Sequence, residues 1–375
     1  MIKAVYELQS ADMKKAAHAI AVGQSIGNPD IRVSRETSQL VKKHGAVVES
    51  IQGNRVVIGF PAVNFGRRDG VAYLMSVLLG GQMDIDLIES CRLLDVEFGP
   101  LLKRFPGPRF GMEGIRAITG AENRALIGGI VKPKIGLSPS QLAEVCHQMA
   151  SGGVDFIKED EILGDPSWCP LKKRVPAVAE ALCGFRTIYA PCITADGSEV
   201  VRRAKLAKSL GATAVHVNLW SGLGSYWDVR KKVDIPIFFQ KSGDKVWTTG
   251  PNSLRFSLLC KMIRLIGCDF THAGMWGGYM SESERELEER IDALQGKWCE
   301  FPKVVPSFSC GAHPGMVRAI VKRFGNDVMI SSGGAIHGHP MGTQAGARAF
   351  RQALESHQSP PPELAAAIAT WGTVE

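Results

Sequence analysis

Two sets of charged residues in this 375-residue sequence follow apolar stretches and have the types and spacing to do chemistry. The first is Lys158, Asp160 and Glu161, which are close enough in the chain to converge on one point. Carboxylates are hard oxygen ligands of the type that Mg²⁺ prefers. A lysine ammonium repels a cation, but carbamylation by CO2 would turn it into a third oxygen ligand. The set therefore predicts a magnesium site, with a salt-bridged and solvated charge run as the alternative.

The second set is Lys132 and Lys134, which flank Pro133 directly after the apolar run 127–131. A lysine amine that is desolvated, or close to other cations, has a lowered pKa and can transfer a proton near neutral pH. Two ordinary surface lysines are the alternative, but that interpretation does not explain why they follow an apolar run. We therefore expect a functional role for this pair.

Glycines near the end of the chain predict a phosphate site. Gly311 and the pair Gly333-Gly334 follow apolar segments and precede helical patterns, where exposed backbone N–H groups can hold an anion. The nearby pair His337 and His339 is typical of packed or phosphate-side histidines more than of metal ligands. The sequence has no Gly-x-Ser-x-Gly motif, so a nucleophilic serine elbow is not expected.

Composition restricts the class of protein. Hydrophobic residues make up 45% and charged residues 22%, as in ordinary globular proteins. The net charge of +7 suits an anionic ligand, but the basic residues are spread out, which argues against nucleic-acid binding. No apolar run approaches the roughly 18 residues of a membrane span, and no signal-peptide core follows Met1. We therefore expect a cytoplasmic protein that acts on a phosphorylated small molecule, without a membrane or nucleic-acid partner.

The first part of the chain has the pattern of a ferredoxin-like α+β domain, predicted over residues 1–108. A β-α-β-β-α-β order is expected, with a hairpin at Gly53-Asn54. Its elements are predicted at Ile2–Leu8, Ala11–Val22, Val47–Ile51, Val56–Phe60, Val71–Leu78 and Leu93–Phe98. The segment Phe105–Pro108, with two prolines and a glycine, breaks regular structure and predicts the domain joint.

The remaining residues, 109–375, alternate eight apolar strands with amphipathic helices, which predicts a TIM (β/α)8 barrel. The strands are expected at Ala125–Ile135, Val154–Glu161, Thr187–Thr194, Ala214–Leu219, Ile235–Lys241, Phe270–Gly274, Val304–Cys310 and Val328–Gly334. Ser138, Pro139 and Gln141 predict a capped helix start. A doubly wound open sheet is the alternative, but no Gly-x-Gly-x-x-Gly follows the first strand. In a barrel, the polar groups above lie at the catalytic end of the strands.

These motifs resemble those of the large subunits of RuBisCO. The similar stretches occur in the same order along nearly the whole predicted barrel: Lys132–Ser138, Gly152–Glu161, Thr271–Gly274, Phe308–Gly311 and Gly333–Pro340. The resemblance implies that Lys158 is carbamylated and binds Mg²⁺ with Asp160 and Glu161, and that Lys132 is the acid/base in enolisation. It also implies a homodimer at least. The implied substrate-binding residues are Lys134, Lys241, His272, Ser309, Gly311, Gly333 and Gly334.

Departures from the pattern point away from ribulose-bisphosphate carboxylation and toward the RuBisCO-like (form IV) branch. The mobile-loop lysine of carboxylases corresponds to Tyr279, and their His-Arg pair after strand five corresponds to Gln240-Lys241. The Glu, Trp and Asn positions of their N-terminal domain correspond to Gly23, Asn28 and Gly81. Carboxylation needs those groups, so we do not expect it.

The enolase of methionine salvage, 2,3-diketo-5-methylthiopentyl-1-phosphate enolase, belongs to the same branch. Segments similar to it are Pro106–Gly111, His313–Met316 and His337–Pro340. That enolase takes its base from a lysine of the N-terminal domain. The nearest counterpart is Arg92, which is always protonated and so a poor base. The retained Lys132-Pro133-Lys134 points to a different branch.

The first hypothesis is therefore a lyase or isomerase that uses Mg²⁺ to form an enolate from a phosphorylated sugar or sugar acid. Isomerisation and decarboxylation both fit this chemistry. The methionine salvage enolase is one alternative, and a phosphosugar-binding protein without catalysis is the other. Intact Lys132, Lys158, Asp160 and Glu161 argue against the non-catalytic alternative.

Overall fold

The structure is a computed structural model that describes residues 1–28, 31, 35–355 and 357–374. Its strands, numbered β1 to β13 in chain order, are Ile2–Gln9, Val47–Gln52, Arg55–Phe60, Ser90–Glu97, Leu126–Ile130, Phe156–Lys158, Ile188–Ala190, Val215–Asn218, Ile237–Gln240, Ser253–Leu254, Phe270–Gly274, Val305–Phe308 and Met329–Ser332. Its helices, α1 to α15, are Met13–Gly23, Ser38–His44, Val71–Leu78, Gly111–Thr119, Pro139–Ser151, Leu171–Ala181, Glu199–Ser209, Leu223–Lys232, Lys245–Thr248, Phe256–Leu265, Glu284–Gln295, Val317–Phe324, Gly334–His337, Thr343–Ala353 and Pro362–Trp371. No helix in the described part of the chain is long and apolar enough to cross a membrane.

The chain divides into two compact units. The first comprises Met1–Pro106 with Gly243–Ile266, and the second comprises Gly107–Ser242 with Gly267–Glu375. The sequence did not predict that Gly243–Ile266 belongs to the first unit. Within that unit, this segment contributes β10, which pairs in parallel with β4.

The first unit is built on a five-stranded sheet with the order β10-β4-β1-β3-β2. Strand β1 pairs antiparallel with both β3 and β4, and its side chains alternate between buried and half-buried positions. This alternation is the pattern of a strand that has one face on a core. Asp12 begins α1 by accepting a hydrogen bond from the backbone N–H of Lys15. The predicted ferredoxin-like order is confirmed, and the short helix α2 is an addition that the sequence did not predict.

The second unit is a barrel of eight parallel strands in the order β7-β6-β5-β13-β12-β11-β9-β8, which confirms the predicted fold. The remaining gap, between β7 and β8, is bridged just beyond β7. There the backbone N–H of His216 donates to Pro191 O, and that of Ile193 donates to His216 O. The loops that follow neighbouring strands are therefore held beside one another.

The barrel interior is packed with side chains from every strand, so it is a core and not a channel. Helix α4 contributes Met112 and Ile115 to this core. The members contributed by the strands and their flanking residues are Leu126, Phe156, Ile188, Ala190, Ala214, Phe238, Phe270, Val305 and Met329. Three phenylalanine rings pack at the centre: Phe238 stacks with Phe156 and with Phe270, and the tilted rings of Phe156 and Phe270 have centroids 4.7 Å apart.

Most predicted barrel strands are longer than the hydrogen-bonded strands. For example, Val154–Glu161 was expected, whereas β6 covers Phe156–Lys158. Glu159 and Asp160, which follow Lys158, stay buried although β6 has ended, so burial extends past the hydrogen-bonded strand. At the helix that follows β5, the prediction is confirmed: Ser138 and Gln141 form a reciprocal capping box at the start of α5.

One fully buried aspartate connects three parts of the barrel. Asp269 accepts hydrogen bonds from the backbone N–H groups of Phe110, Gly111 and Ile237, and its carboxylate pairs with the guanidinium of Arg230. These contacts attach the start of α4 to the strands β9 and β11. Such a carboxylate cannot be removed without leaving several buried donors unsatisfied.

We predict that Asp269→Ala lowers the free energy of unfolding by about 3–5 kcal/mol, because it leaves a buried guanidinium and three N–H donors without their partner. Urea denaturation measures this change. Asp228→Ala, which removes an exposed i,i+4 pair with Lys232, is the matched control and should cost at most about 0.5 kcal/mol. Equal effects of the two substitutions would show that Asp269 does not hold these elements together.

Candidate active site

Lysine and carboxylate groups from neighbouring strands meet at the catalytic end of the barrel. Strands β5 and β6 are paired in parallel, with Ile130 opposite Lys158, so the residues that follow each strand lie side by side. Lys132 Nζ donates to Asp160 Oδ2 over 2.7 Å. The Asp160 carboxylate is 2% exposed, whereas Lys132 is partly open to solvent. The contact brings one member of each predicted set together.

Lys158 is 1% exposed and has its amine beside the second carboxylate. Its Nζ lies 3.5 Å from Glu161 Oε2 and 3.3 Å from the backbone oxygen of Glu159. Burial lowers the pKa of Lys158, and the charges of Glu161 and Asp160 oppose that effect without overcoming it. The amine therefore loses its proton more readily than an ordinary lysine does.

Glu161 is held ionised by its neighbours. Burial by itself would raise the pKa of this carboxyl, but the Lys158 ammonium, the residue's own backbone N–H and the Ser242 hydroxyl together lower the pKa to about 2. Ser242 Oγ donates to Glu161 Oε1 over 2.9 Å. Gln240 in turn donates from Nε2 to Ser242 Oγ, which fixes the hydroxyl. Glu161 thus presents a charged oxygen at the barrel end.

Glu159 lies between the site residues but faces the opposite side of the strand, where it is completely buried. Arg174 Nε donates to Glu159 Oε1 over 2.9 Å, and Tyr189 Oη donates to the same oxygen over 2.5 Å. The backbone N–H of Cys192 donates to the other oxygen over 2.8 Å. The carboxylate is therefore satisfied by three donors, which fixes the backbone on either side of it.

Arg174 also organises the loop that follows β6. Its guanidinium donates to the backbone oxygens of Leu163, Gly164 and Cys169 in that loop, and to Cys192 O after β7. The arginine is 0% exposed although it lies on a helix, α6. The planar guanidinium with its five N–H donors is suited to holding several oxygens at once.

His272 lies on β11 and is buried. Its Nδ1 is 3.0 Å from Ser309 Oγ, so two predicted substrate-binding residues are in contact. Burial lowers the pKa of His272, and the nearby charges of Lys158 and Lys241 lower it further. The imidazole is therefore neutral at pH 7 and can both donate and accept a hydrogen bond.

Of the glycines predicted to bind phosphate, Gly333 and Gly311 have close neighbours and Gly334 has none. A Cβ at Gly333 would lie 2.9 Å from Lys132 Cε and 3.0 Å from Ile130 O, so a larger residue there would displace the lysine chain. Gly311 has φ of 106° and lies against the backbone of Tyr279. Gly334 at the start of α13 has nothing within 4 Å of the Cβ position. Open backbone of this kind is accessible to an anion.

Lys134 is exposed beyond Pro133, and Lys241 is largely buried after β9. The structure gives Lys134 no contact with the cluster of Lys132, Lys158, Asp160 and Glu161. Its predicted role in substrate binding, like that of Lys241, stays a prediction.

The His337–His339 pair is occupied by protein contacts. His337 Nε2 is 3.1 Å from Ile130 O and Nδ1 is 3.2 Å from Thr343 Oγ1. His339 Nε2 is 2.9 Å from Glu363 O, and its Nδ1 accepts from the backbone N–H of Met341. All four ring nitrogens thus have partners, as the structural interpretation of this motif predicts.

The donor set at the barrel end is short of one acidic ligand. Asp160 and Glu161 supply two carboxylates, and within the described residues no group of three His, Cys, Asp or Glu side chains is placed to hold a metal ion. The third side chain at this point is the buried amine of Lys158. Carbamylation of that amine would add a third oxygen ligand for a divalent ion.

Sequence reasoning missed the residues that support this site. Ser242 is found only through the fold, because β9 brings it to Glu161 from a distant part of the chain. Arg174 did leave a trace, since it lies on the apolar face of α6 with Leu171, Val175 and Val178. A charged residue on such a face needs a buried partner, and Glu159 is that partner.

Comparison with known proteins agrees with this geometry. The family model "Ribulose bisphosphate carboxylase large chain, catalytic domain" matches residues 111–371. The chain is 35% identical to 2,3-diketo-5-methylthiopentyl-1-phosphate enolase of Geobacillus kaustophilus, over 100% of this chain and 98% of that protein. It is 33% identical to ribulose bisphosphate carboxylase of Methanosarcina barkeri, over 76% of this chain and 73% of that protein.

Solved structures show the same fold. The dimeric archaeal Rubisco of Hyperthermus butylicus superposes with a TM-score of 0.90 at 26% identity, covering 100% of this chain and 96% of that one. The rubisco-like protein MtnW of Alicyclobacillus acidocaldarius superposes with a TM-score of 0.87 at 29% identity, covering 99% of this chain and all of that one.

A (β/α)8 barrel with lysines and carboxylates at the carboxyl ends of its strands is the architecture of a barrel enzyme with its site at the catalytic face. The chain belongs to the RuBisCO large-chain family, and within it to the RuBisCO-like proteins.

We predict that the lowered pKa of Glu161 makes stability depend on pH in the acid range. A carboxyl with a pKa of about 2 in the folded protein and 4.5 as its ordinary value stabilises the fold above pH 4.5. That contribution, up to about 3 kcal/mol, is lost as the pH falls from 4.5 toward 2. In EDTA, Glu161→Gln should therefore be less stable than the wild type at pH 6 and approach it near pH 2.

Urea denaturation at several pH values measures the difference between wild type and variant. The exposed Asp228→Asn serves as the control and should give a difference that hardly changes with pH. A Glu161→Gln difference that stays constant between pH 6 and pH 2.5 would contradict the ion pair with Lys158.

Proposed function

We propose that this protein is a magnesium-dependent lyase or isomerase that forms an enolate from a phosphorylated sugar or sugar acid. The observation that carries the proposal is the meeting of two lysines and two carboxylates at one barrel end. Lys132 contacts Asp160 over 2.7 Å, and the buried Lys158 lies 3.5 Å from Glu161. Such clusters of mutually perturbing charges are typical of catalytic sites.

The residues fit a magnesium ion once Lys158 is carbamylated. Asp160 and Glu161 would supply two oxygens and the carbamate a third, which gives the all-oxygen set that Mg²⁺ prefers. The lowered pKa of Lys158 favours the uncharged amine, the form that reacts with CO2. When bound, Mg²⁺ would supply Lewis-acid stabilisation of the oxyanion that develops beside the carbonyl.

The remaining steps belong to protein groups. Lys132, which is partly exposed and hydrogen-bonded to Asp160, would take or return the proton beside the substrate carbonyl. His272, neutral and hydrogen-bonded to Ser309, would bind a substrate hydroxyl or phosphate oxygen. The open backbone at Gly334, with Gly333 and Gly311, would hold a phosphate.

Carboxylation of ribulose bisphosphate is not part of the proposal. The loop after β11 carries Tyr279 where carboxylases have lysine, and its ring is 82% exposed. Gln240, at the end of β9, stands where carboxylases have a basic residue, and its amide donates a hydrogen bond to Ser242. A tyrosine and a glutamine provide no positive charge for an added carboxylate.

The second candidate is the enolase reaction on 2,3-diketo-5-methylthiopentyl-1-phosphate. Two relatives that span nearly the whole chain, from Geobacillus kaustophilus and Geobacillus thermodenitrificans, carry that name at 35% and 34% identity. In this protein the candidate base position is Arg92 on β4, whose guanidinium donates to Thr248 O. A guanidinium does not release its proton near neutral pH, which weighs against this activity.

A binding protein without catalysis would have the same phosphate site but no need for the charged cluster.

We also propose that the protein acts as a homodimer at least, in the way the archaeal relative from Hyperthermus butylicus is described as dimeric. Its ligand would be a phosphorylated small molecule in either case.

We predict that bicarbonate strengthens Mg²⁺ binding through Lys158. In calorimetry, wild-type protein should bind Mg²⁺ at least about tenfold more tightly with bicarbonate than without it, because the carbamate adds one charged oxygen ligand. Lys158→Met, which keeps the length and buried volume of the side chain, should lose that difference. The exposed Lys172→Met is the matched control and should keep it.

A wild-type affinity for Mg²⁺ that is the same with and without bicarbonate would rule out the carbamate. A binding difference that survives in Lys158→Met would move the modification to another residue.

We predict no turnover of 2,3-diketo-5-methylthiopentyl-1-phosphate by this protein, because Arg92 cannot act as the base. Direct assay of that substrate with Mg²⁺ and bicarbonate measures this. The informative variant is Arg92→Lys, which restores an amine and should gain turnover if the rest of the site accepts the substrate. Wild-type turnover that persists in Arg92→Ala would favour the enolase activity and a different base.

A further inference from the structure

One histidine of the described chain is fully buried and has no hydrogen-bond partner on either ring nitrogen. This residue is His216 on β8, with 0% of its surface exposed. A neutral imidazole has one N–H donor and one acceptor nitrogen to satisfy. Native proteins leave few buried polar groups unpaired, and those few have specific reasons.

His216 faces the barrel interior in the same layer as Lys158 and His272. Their strands, β8, β6 and β11, are the fourth, second and sixth of the barrel, and alternate strands contribute to one layer. Each of the three follows a core residue by two positions, and so points to the same side of its strand. Those preceding core residues are Ala214, Phe156 and Phe270, respectively.

The ring of Phe238 is a common neighbour of this layer. Phe238 is the register partner of His216 on the adjacent strand β9. Lys158 Nζ lies 5.8 Å from the centroid of the Phe238 ring, and the His272 ring centroid lies 4.8 Å from it. Lys158 and His272 thus lie at one aromatic ring, and the residue that carries this ring is the strand partner of His216, in a part of the barrel closed to solvent.

Carbamylation of Lys158 would add hydrogen-bond acceptors to this layer. The uncharged amine forms a bond from nitrogen to the carbon of CO2 and releases one proton, which leaves an N–H and a carboxylate. The carboxylate has two oxygens, each able to accept more than one hydrogen bond. Asp160 and Glu161 are themselves acceptors when ionised and cannot donate to it. A buried carbamate oxygen that does not bind the metal therefore needs a hydrogen-bond donor from the protein.

We propose that His216 is a positioning residue that donates a hydrogen bond from its ring to the carbamate of Lys158. The inference rests on the proposed function, because it requires the carbamate. His216 suits the role since its ring is held in the same layer and has no competing partner among the described residues. The unmodified protein has an unsatisfied imidazole, and the modified one satisfies it.

The test compares His216→Leu with His216→Gln. Leucine fills a similar volume without a donor, whereas glutamine keeps an N–H donor on a flexible chain. Two quantities are measured: the bicarbonate concentration that gives half-maximal enhancement of Mg²⁺ binding in calorimetry, and the carbamate carbon signal in NMR with ¹³C-bicarbonate. Val217→Ala, on the same strand but its opposite face, controls for loss of packing.

We expect His216→Leu to raise the half-maximal bicarbonate concentration at least about tenfold and to weaken the carbamate signal, because a hydrogen bond to a charged group is lost. Its thermal stability without bicarbonate should not fall, since an unpaired polar group is removed. His216→Gln should recover part of the bicarbonate response, and Val217→Ala should lose stability but keep that response.

An unchanged bicarbonate response in His216→Leu, beside a normal response in the wild type, would overturn the role of His216 alone. A wild type without any bicarbonate response or carbamate signal would overturn both this inference and the proposed carbamate.

Discussion

The burial of the Lys158 amine is the constraint on which the rest of the site depends. An ammonium in a nearly dry barrel interior is costly, so it must be paired or lose its proton. Glu161 lies 3.5 Å from the amine and Asp160 is the next carboxylate along the loop. Burial lowers the pKa of Lys158 and by itself would raise that of Glu161, but the charge of Lys158, with the backbone N–H and Ser242, keeps the pKa of Glu161 low. One lysine thereby sets the charge state of its surroundings.

Placing such a group precisely is the task of the side chains behind the strand. Glu159 and Arg174 form a fully buried ion pair outside the barrel wall, and Tyr189 and a backbone N–H complete the carboxylate's partners. A buried pair of this kind is costly to form, so it adds little net stability, but it requires one defined arrangement of its two side chains. Lys158 and Asp160 are the direct chain neighbours of Glu159 and are therefore fixed along with it.

The sequence was sufficient for the layout of the fold and for the charged residues that the structure brings together at the barrel end. Apolar runs with intervening amphipathic helices gave the eight strands, and their polar ends gave Lys132, Lys158, Asp160 and Glu161 as candidates. Strand ends were placed too far along, since burial continues past the last ladder hydrogen bond. Ser242 and His216 depend on which strands become neighbours, and Gly243–Ile266 depends on packing between distant segments of the first unit. Neither kind of information is present in local periodicity.

Exchange of a substrate proton with solvent tests the central claim, enolate formation at this site, most directly. Phosphorylated ketoses and sugar acids would be incubated with wild-type protein, Mg²⁺ and bicarbonate in D2O, and loss of the proton beside the carbonyl followed by NMR. The proposed mechanism predicts exchange with at least one of these compounds, slowed about 10²–10⁴-fold in Lys132→Met and abolished when Mg²⁺ is removed. Exchange that proceeds at the wild-type rate in Lys132→Met and in EDTA would contradict it.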